Sequence, residues 1–287
     1  MIAIYKKELR SYFTHMMGYV FLAVMLLSVA IWFSLGNALS MSANFHRALD
    51  STTIFFFILI PTLTMRLFSE EARQKTDQLL FTSPLSVFQI VVGKFLASLS
   101  LFLIASAITV IMPLMLSRYG ELPVSQIVGT YIGFILLGAC CIAVGVFISV
   151  LADNQIIAAV ITIVSLFVMF MMDTVALMMP ITNFASLVFV ILVVIAVVAL
   201  WYTATRNIIA TVVVAVIAIG VAFGLYMFNN LIYDGIIVRS LLWLSLFNRF
   251  GNFTIGIVDT ADLVYYISFS AMFIYFTINV IEKRRWR

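Results

Sequence analysis

Charge is what this chain has least of. Of its 287 residues only 10% are Asp, Glu, Lys or Arg, while 64% are hydrophobic and the mean hydropathy is +1.20. A soluble domain carries about a quarter of its residues as charges to keep a solvated surface, so a soluble enzyme or binding module is excluded. Cysteine is nearly absent. Cys140 and Cys141 stand side by side inside an apolar run, which excludes a disulfide framework and leaves two small buried thiols. His15 and His46 are isolated, and no Ser/His/Asp set or cluster of metal ligands accompanies them. The phosphate-binding pattern G-x-x-x-x-G-K-[ST] is missing as well. Gly93-Lys94 supplies the dipeptide, but Phe95 follows and no glycine stands five residues earlier, so no nucleotide cradle of that kind is present.

What the chain does have is long apolar runs, from one end to the other. Each is long enough to cross a hydrocarbon core about 30 Å thick as a helix, and they are continuous rather than alternating, which argues for helices over a barrel. The runs predict an all-α integral membrane protein, a helical bundle forming one transmembrane domain over 1–287. About eight spans are expected, near 18–39, 51–68, 95–117, 126–151, 156–173, 184–204, 208–228 and 263–281. The first run is too long for a signal peptide and lacks a small-residue cleavage site, so it reads as a retained helix.

Basic residues set the expected orientation. With the N-terminus inside, twelve of the sixteen Lys and Arg fall on inner segments: Lys6, Lys7, Arg10, Arg66, Arg73, Lys75, Lys94, Arg206, Lys283, Arg284, Arg285 and Arg287. Only Arg47, Arg118, Arg239 and Arg249 fall outside. This asymmetry predicts both termini in the cytoplasm of a multi-pass protein of the plasma or inner membrane.

Against this apolar background, Glu70, Glu71, Arg73, Lys75 and Asp77 crowd into eight residues. Placed mid-bilayer, five charges would cost roughly 12 to 18 kcal/mol at about 2.5 to 3.5 each, so residues 66–94 must form an inner segment outside the lipid. Ser69 is expected to cap a short helix with Glu70 and Glu71 in its first turn. Thr76, Leu79 and Leu80 give that helix an apolar edge, and Thr82, Ser83 and Pro84 end it. Such an edge suits docking in a groove on another protein. Residues 1–17 carry a second amphipathic signal. Ile2, Tyr5, Leu9, Tyr12, Phe13 and Met16 fall on one helical face and Lys6, Lys7, Arg10 and Thr14 on the other, which predicts a helix lying in the headgroup layer of the bilayer.

Four segments, in order, resemble the membrane subunit of ABC-2 type ATP-binding-cassette transporters, in particular the gliding-motility and nitrous-oxide-reductase maturation permeases. They are Phe68 to Pro84 with Gly93-Lys94, Phe147 to Gln155 with Ala158, Phe250 to Tyr266, and Glu282 to Trp286. The resemblance implies a six-helix permease core, to which residues 184–228 would add an extra helix pair of this chain's own, and it implies pairing with a second permease copy or a paralogue. It also implies two separate ATPase subunits, which bind ATP and Mg, and it allows for an accessory membrane subunit. The partners are thus proteins and the lipid bilayer, with no nucleic acid. ATP hydrolysis would be coupled to substrate movement, in the export direction, through Glu70, Glu71, Arg73, Thr76, Asp77, Leu79, Leu80, Thr82, Ser83 and Pro84, and through Asp153, Asn154 and Gln155 at the turn between the fourth and fifth spans. There are two departures: Lys75 stands where the family commonly has glycine before threonine, and the pair of spans at 184–228 exceeds the usual six, so that its placement does not carry over from the family.

Other features bear on packing. Gly129, Gly133, Cys141, Gly145 and Ser149 mark a small-residue stripe on the fourth span, suited to close helix contact inside the chain or across a dimer. Pro61 and Pro113 are expected to kink their spans. The methionine-rich run Met169 to Pro180 reads as apolar filler rather than a set of Cu(I) ligands. Residues 229–262 form a long outer segment rich in apolar side chains, ended by Asp259 as the cap of the last helix with Asp262 in its first turn. The resemblance makes this segment an outer gate, lined by Trp243, Phe247, Phe250 and Phe253. Two other classes stay open on the residues alone: an ion-coupled secondary transporter, which needs ionisable groups near the midplane, and a non-transporting anchor of a larger assembly.

Overall fold

The computed structural model describes residues 1–40, 42–75, 85–118, 121–205, 207–228 and 233–285, and among them the regular elements are all helical. The chain divides into two compact units, Met1–Met169 with Leu246–Arg287, and Phe170–Ser245. The first begins with α1 (Ile2–Thr14) and α2 (Met16–Phe33), which runs on into a π-helical turn over Ser34–Ala38. Then come α3 (Phe45–Thr52), a 3-10 turn over Thr53–Phe55, α4 (Phe56–Thr64) and the short α5 (Ser69–Arg73). α6 (Val87–Thr109), α7 (Ile111–Leu116) and α8 (Val124–Leu151) follow, and α9 (Gln155–Met178) leads from the first unit into the second. The second unit continues with α10 (Asn183–Thr205), α11 (Ile208–Phe228) and α12 (Ile236–Leu244). The chain returns to the first unit in α13 (Leu246–Thr254) and α14 (Thr260–Arg285).

Seven helical stretches among the described residues are long and apolar enough to cross a membrane: Met16–Ala38, Phe45–Thr64, Val87–Leu116, Val124–Leu151, Gln155–Met178, Thr211–Phe228 and Thr260–Arg285. A shorter apolar stretch, Asn183–Ala199, lies on α10. Each of the eight expected spans overlaps one of these, and the protein is a multi-pass, all-α membrane bundle. Two of the spans begin earlier than expected. The second span begins at Phe45 rather than near 51, because amphipathic α3 buries Phe45, Ala48, Leu49 and Thr52 and so joins the bundle in spite of Arg47 and Asp50. The third begins at Val87 rather than near 95, where the Ser86 hydroxyl accepts the Gln89 N–H at 3.3 Å and caps α6. Lys94 therefore lies inside a helix and not in the preceding loop.

α8 is the axis of the first unit, with α3, α4, α5, α6, α13 and α14 packed on it. Its glycines permit this. A Cβ on Gly133 would meet Phe253 at 2.6 Å, and one on Gly145 would meet the Thr64 hydroxyl at 2.3 Å. The small-residue stripe thus packs within the chain, bringing α13 and α4 close to the α8 backbone. Phe56, Phe102 and Phe134 meet in the core beside it, with ring centroids 5.0 to 5.7 Å apart. The expected proline effects differ in kind. Pro113 follows a break at Val110 that separates α6 from α7, whereas Pro61 lies within α4, in the second turn after the 3-10 segment. In the second unit α10 and α11 pack on each other, and the Tyr233 hydroxyl donates to the Ala222 carbonyl at 2.6 Å.

Candidate functional site

At the end of the bundle where α4 gives way to α5, Lys7, Glu8, Arg66, Glu70, Glu71 and Lys94 form a cluster of ion pairs. Glu70 and Glu71 occupy the first turn of α5, as the sequence predicts, but Ser69 does not cap it. Ser69 is already helical, and its hydroxyl donates back to the Met65 carbonyl. The cap comes from α8 instead. Ser149 Oγ accepts the Phe68 and Ser69 N–H groups at 3.1 and 3.3 Å and donates to Met65 O at 3.3 Å. A buried hydroxyl from a distant part of the chain thus satisfies donors that the helix start leaves open.

The other end of α5 explains the departure noted at Lys75. This residue has φ +56°, the left-handed region that glycine enters without a Cβ penalty. Its N–H bonds to Ala72 O at 3.1 Å, so the backbone turns out of the helix as it would at a terminal glycine. Thr76, Asp77, Leu79, Leu80, Thr82, Ser83 and Pro84 lie outside the described residues.

The side chain that ties α5 to the bundle is Lys94, which is only 1% exposed. Its ammonium lies 2.7 Å from Glu71 Oε2 and 3.5 Å from Glu8 Oε1 of α1. It also donates to the Leu67 carbonyl and sits 4.6 Å from the centre of the Phe68 ring. A lysine is tolerated at such burial only when its charge and donors are met, and here two carboxylates, a carbonyl and an aromatic face meet them. From the exposed side, Lys7 reaches Glu71 at 3.4 Å and Glu8 at 3.7 Å. Arg66 pairs with Glu70 at 2.6 Å, and that hydrogen bond, outweighing partial burial, holds the Glu70 carboxyl below the usual glutamate value. Arg73 follows in the last turn of α5.

α1 is docked rather than merely laid down. Its inward face is centred on Ile4 and Tyr12, not on Ile2, which is exposed, or on Met16, which already belongs to α2 and is exposed too. Tyr5 bonds Ser100 Oγ at 3.0 Å, while the Tyr12 hydroxyl donates to Leu63 O at 2.9 Å and lies 3.0 Å from Ser98 Oγ. Burial pushes the Tyr12 phenol far above its ordinary pKa. Lys6, Lys7 and Arg10 remain on the exposed face, as the amphipathic pattern predicts.

A second charged contact belongs to this same end. Asp153, after α8, lies 3.8 Å from Arg284 in the last turn of α14, and Asn154 Oδ1 accepts the Ile156 N–H at 3.0 Å at the start of α9, whose first residue is Gln155. The opposite end of the unit holds a buried pair that sequence reading missed. Arg249 of α13 lies 2.7 Å from Asp262 Oδ1, and Asn252 donates to Asp262 Oδ2 at 2.8 Å. The Arg249 guanidinium also stacks 4.1 Å from the Tyr265 ring centre. Asp259 Oδ1 does accept the Ala261 N–H at 3.0 Å, as a cap should. Of the aromatic residues expected at an outer gate, Phe250 and Phe253 are core side chains lodged against Gly133, Phe247 is half-buried against the same core, and Trp243, in the second unit, is largely exposed.

The chain matches the family model described as ABC-2 family transporter protein over residues 31–198. It belongs to that family. The matched stretch takes in α3 to α9, and so α5, Lys94 and Ser149 all lie inside it. No curated protein and no solved structure matches the chain. Membership makes this ABC-2 permease the membrane component of an ABC transporter, a kind of protein that works with an ABC ATPase subunit.

Proposed function

We propose that the segment opened by α5 is where the ATPase subunit docks and through which its ATP-driven closure reaches the membrane helices. In this reading the permease acts as a pair, with a second copy or a paralogue, beneath two ATPase subunits that bind ATP and Mg. The end carrying α1, α5 and the C-terminal turn of α14 faces the cytoplasm, and transport is outward. Asp153, Asn154 and Gln155 lie at that same end and would form a second, smaller contact. The exposed basic face of α1, with Lys6, Lys7 and Arg10, would rest on anionic headgroups of the inner leaflet.

The observation that carries this reading is the way α5 is rooted. A five-residue helix that only joined two spans would need no buried attachment, yet α5 is fastened to α6 through Glu71 and Lys94 and to α8 through Ser149. Force applied to the segment beyond Lys75 would therefore be delivered to spanning helices rather than lost in a loop. The four resembling segments favour the gliding-motility and nitrous-oxide-reductase maturation group within the family.

The test is affinity purification of the tagged chain in mild detergent, wild type beside a Leu79→Asp, Leu80→Asp double variant, with identification of co-purifying chains and an ATP hydrolysis assay. A P-loop ATPase should accompany the wild type, and its recovery should fall at least about tenfold in the variant, since charge placed in an apolar docking face costs several kcal/mol. A folded wild type that brings down no ATPase would sink the proposal and put an ion-coupled carrier or a non-transporting anchor in its place.

A further inference from the structure

An ammonium has three donors, and those of Lys94 are directed at three places: Glu71 on α5, Glu8 on α1, and the Leu67 carbonyl between α4 and α5. The two carboxylates are held unequally, at 2.7 and 3.5 Å. If α5 lifts away from α6, Glu71 leaves with it, and a charged lysine this deeply buried is strongly destabilising without a counter-charge. Glu8 is the carboxylate already in place to receive it. Lys7, within 4 Å of both carboxylates, ties the same two helices from the solvent side. α1 is in turn anchored along α6 by Tyr5 and Tyr12, and a Cβ on Gly93, next to Lys94, would come within 3.2 Å of Ile4.

We propose that Lys94 is the positioning residue of α5 and that Glu8 is its second acceptor, so that a displacement of α5 is passed to the N-terminal helix. The proposal rests on the reading of α5 as the start of the ATPase-docking segment, and it adds α1 to the moving parts. As α5 moves outward, the Lys94–Glu8 contact shortens while Lys94–Glu71 lengthens. α1, lying at the membrane surface, is thereby drawn toward α6.

The test uses the full chain in lipid nanodiscs without any partner, followed by hydrogen exchange of peptides from α1, α5 and the middle of α8. Lys94→Met should speed exchange in both α1 and α5 by about tenfold and leave α8 unchanged. Glu8→Gln, a change at a less buried position, should loosen α1 and leave α5 close to wild type. The exchanged pair Lys94→Glu with Glu71→Lys should restore protection of α5 but not of α1, because Glu8 then faces a like charge. Loosening of α5 alone in Lys94→Met, or of neither helix, would overturn the proposal. So would restoration of both helices by the exchanged pair. Should Lys94→Met also loosen α8, Glu8→Gln decides: an α1 exchange equal to wild type refutes the link. In the complex with the co-purifying ATPase, Glu8→Gln should lower kcat for ATP several-fold with KM unchanged, since the nucleotide site is untouched; an unchanged kcat would overturn it. Absence of any ATPase with the wild type would instead count against the docking reading, a failure separate from that of the exchange experiment.

Discussion

Lys75 shows how a single residue can be read against the backbone it occupies. A side chain in the left-handed region costs about 1 kcal/mol that glycine does not incur, and Lys75 holds φ +56° at the end of α5. Lys75→Gly should therefore firm up this turn by up to about 0.5 kcal/mol, net of the greater freedom of glycine in the unfolded chain. The readout is hydrogen exchange at the Ala72 and Gln74 amides, which should slow; faster exchange would mean that the lysine side chain contributes more to the turn than the backbone strain takes away. Ser149 makes the complementary point. Its hydroxyl was visible only as one small residue in a stripe, yet it carries the cap that Ser69 was expected to supply, because Ser69 bonds to Met65 within its own turn.

At the scale of elements, the fold depends on how closely other helices approach α8. Gly145 is the tightest contact: a Cβ there would lie 2.3 Å from Thr64 Oγ1, 2.9 Å from its Cβ and 3.0 Å from its Cγ2, so no rotation of the threonine relieves it. Gly145→Ala should force α4 from α8 and destabilise the protein by about 1 to 3 kcal/mol. Gly220→Ala on α11, where nothing lies within 4 Å, should be neutral or slightly stabilising through helix propensity. Thermal unfolding of the two variants in the same detergent measures the difference, and equal transitions would remove close packing as the reason for glycine at 145. Because α4 leads straight into α5, this contact also sets where the charged segment leaves the bundle.

For the whole molecule, the distribution of basic residues and the helix ends make one statement about sidedness. Lys6, Lys7, Arg10, Arg66, Arg73, Lys94 and Lys283 to Arg285 lie on α1, α5, the neighbouring ends of α4 and α6, and the last turn of α14. Arg118 lies beyond α7, at the other end of the third span. In intact cells a membrane-impermeant maleimide should label Arg118→Cys and spare Arg10→Cys. The native Cys140 and Cys141, both buried, add little background. Labelling with the reverse pattern would invert the topology and place α5 out of reach of a cytoplasmic ATPase.

Hydropathy and charge run along one dimension, and they were enough to establish an all-α bundle, the approximate position of each span, and a charged segment between the second and third of them. Asp259 as a cap was equally legible, because a cap is a contact between near neighbours in the chain. Pairings between distant residues were not. Lys94 read as a loop charge, Glu8 drew no notice on the helix it shares with Lys6 and Lys7, and Arg249 and Asp262 were placed on an outer segment without being joined. Which charge meets which depends on the faces that helices turn toward one another, and that is decided by contacts such as Phe253 on Gly133 and Ile4 on Gly93. Tertiary packing alone could bury a lysine of an apolar protein between two glutamates from two other helices, because only packing brings those carboxylates close enough to offset the loss of water.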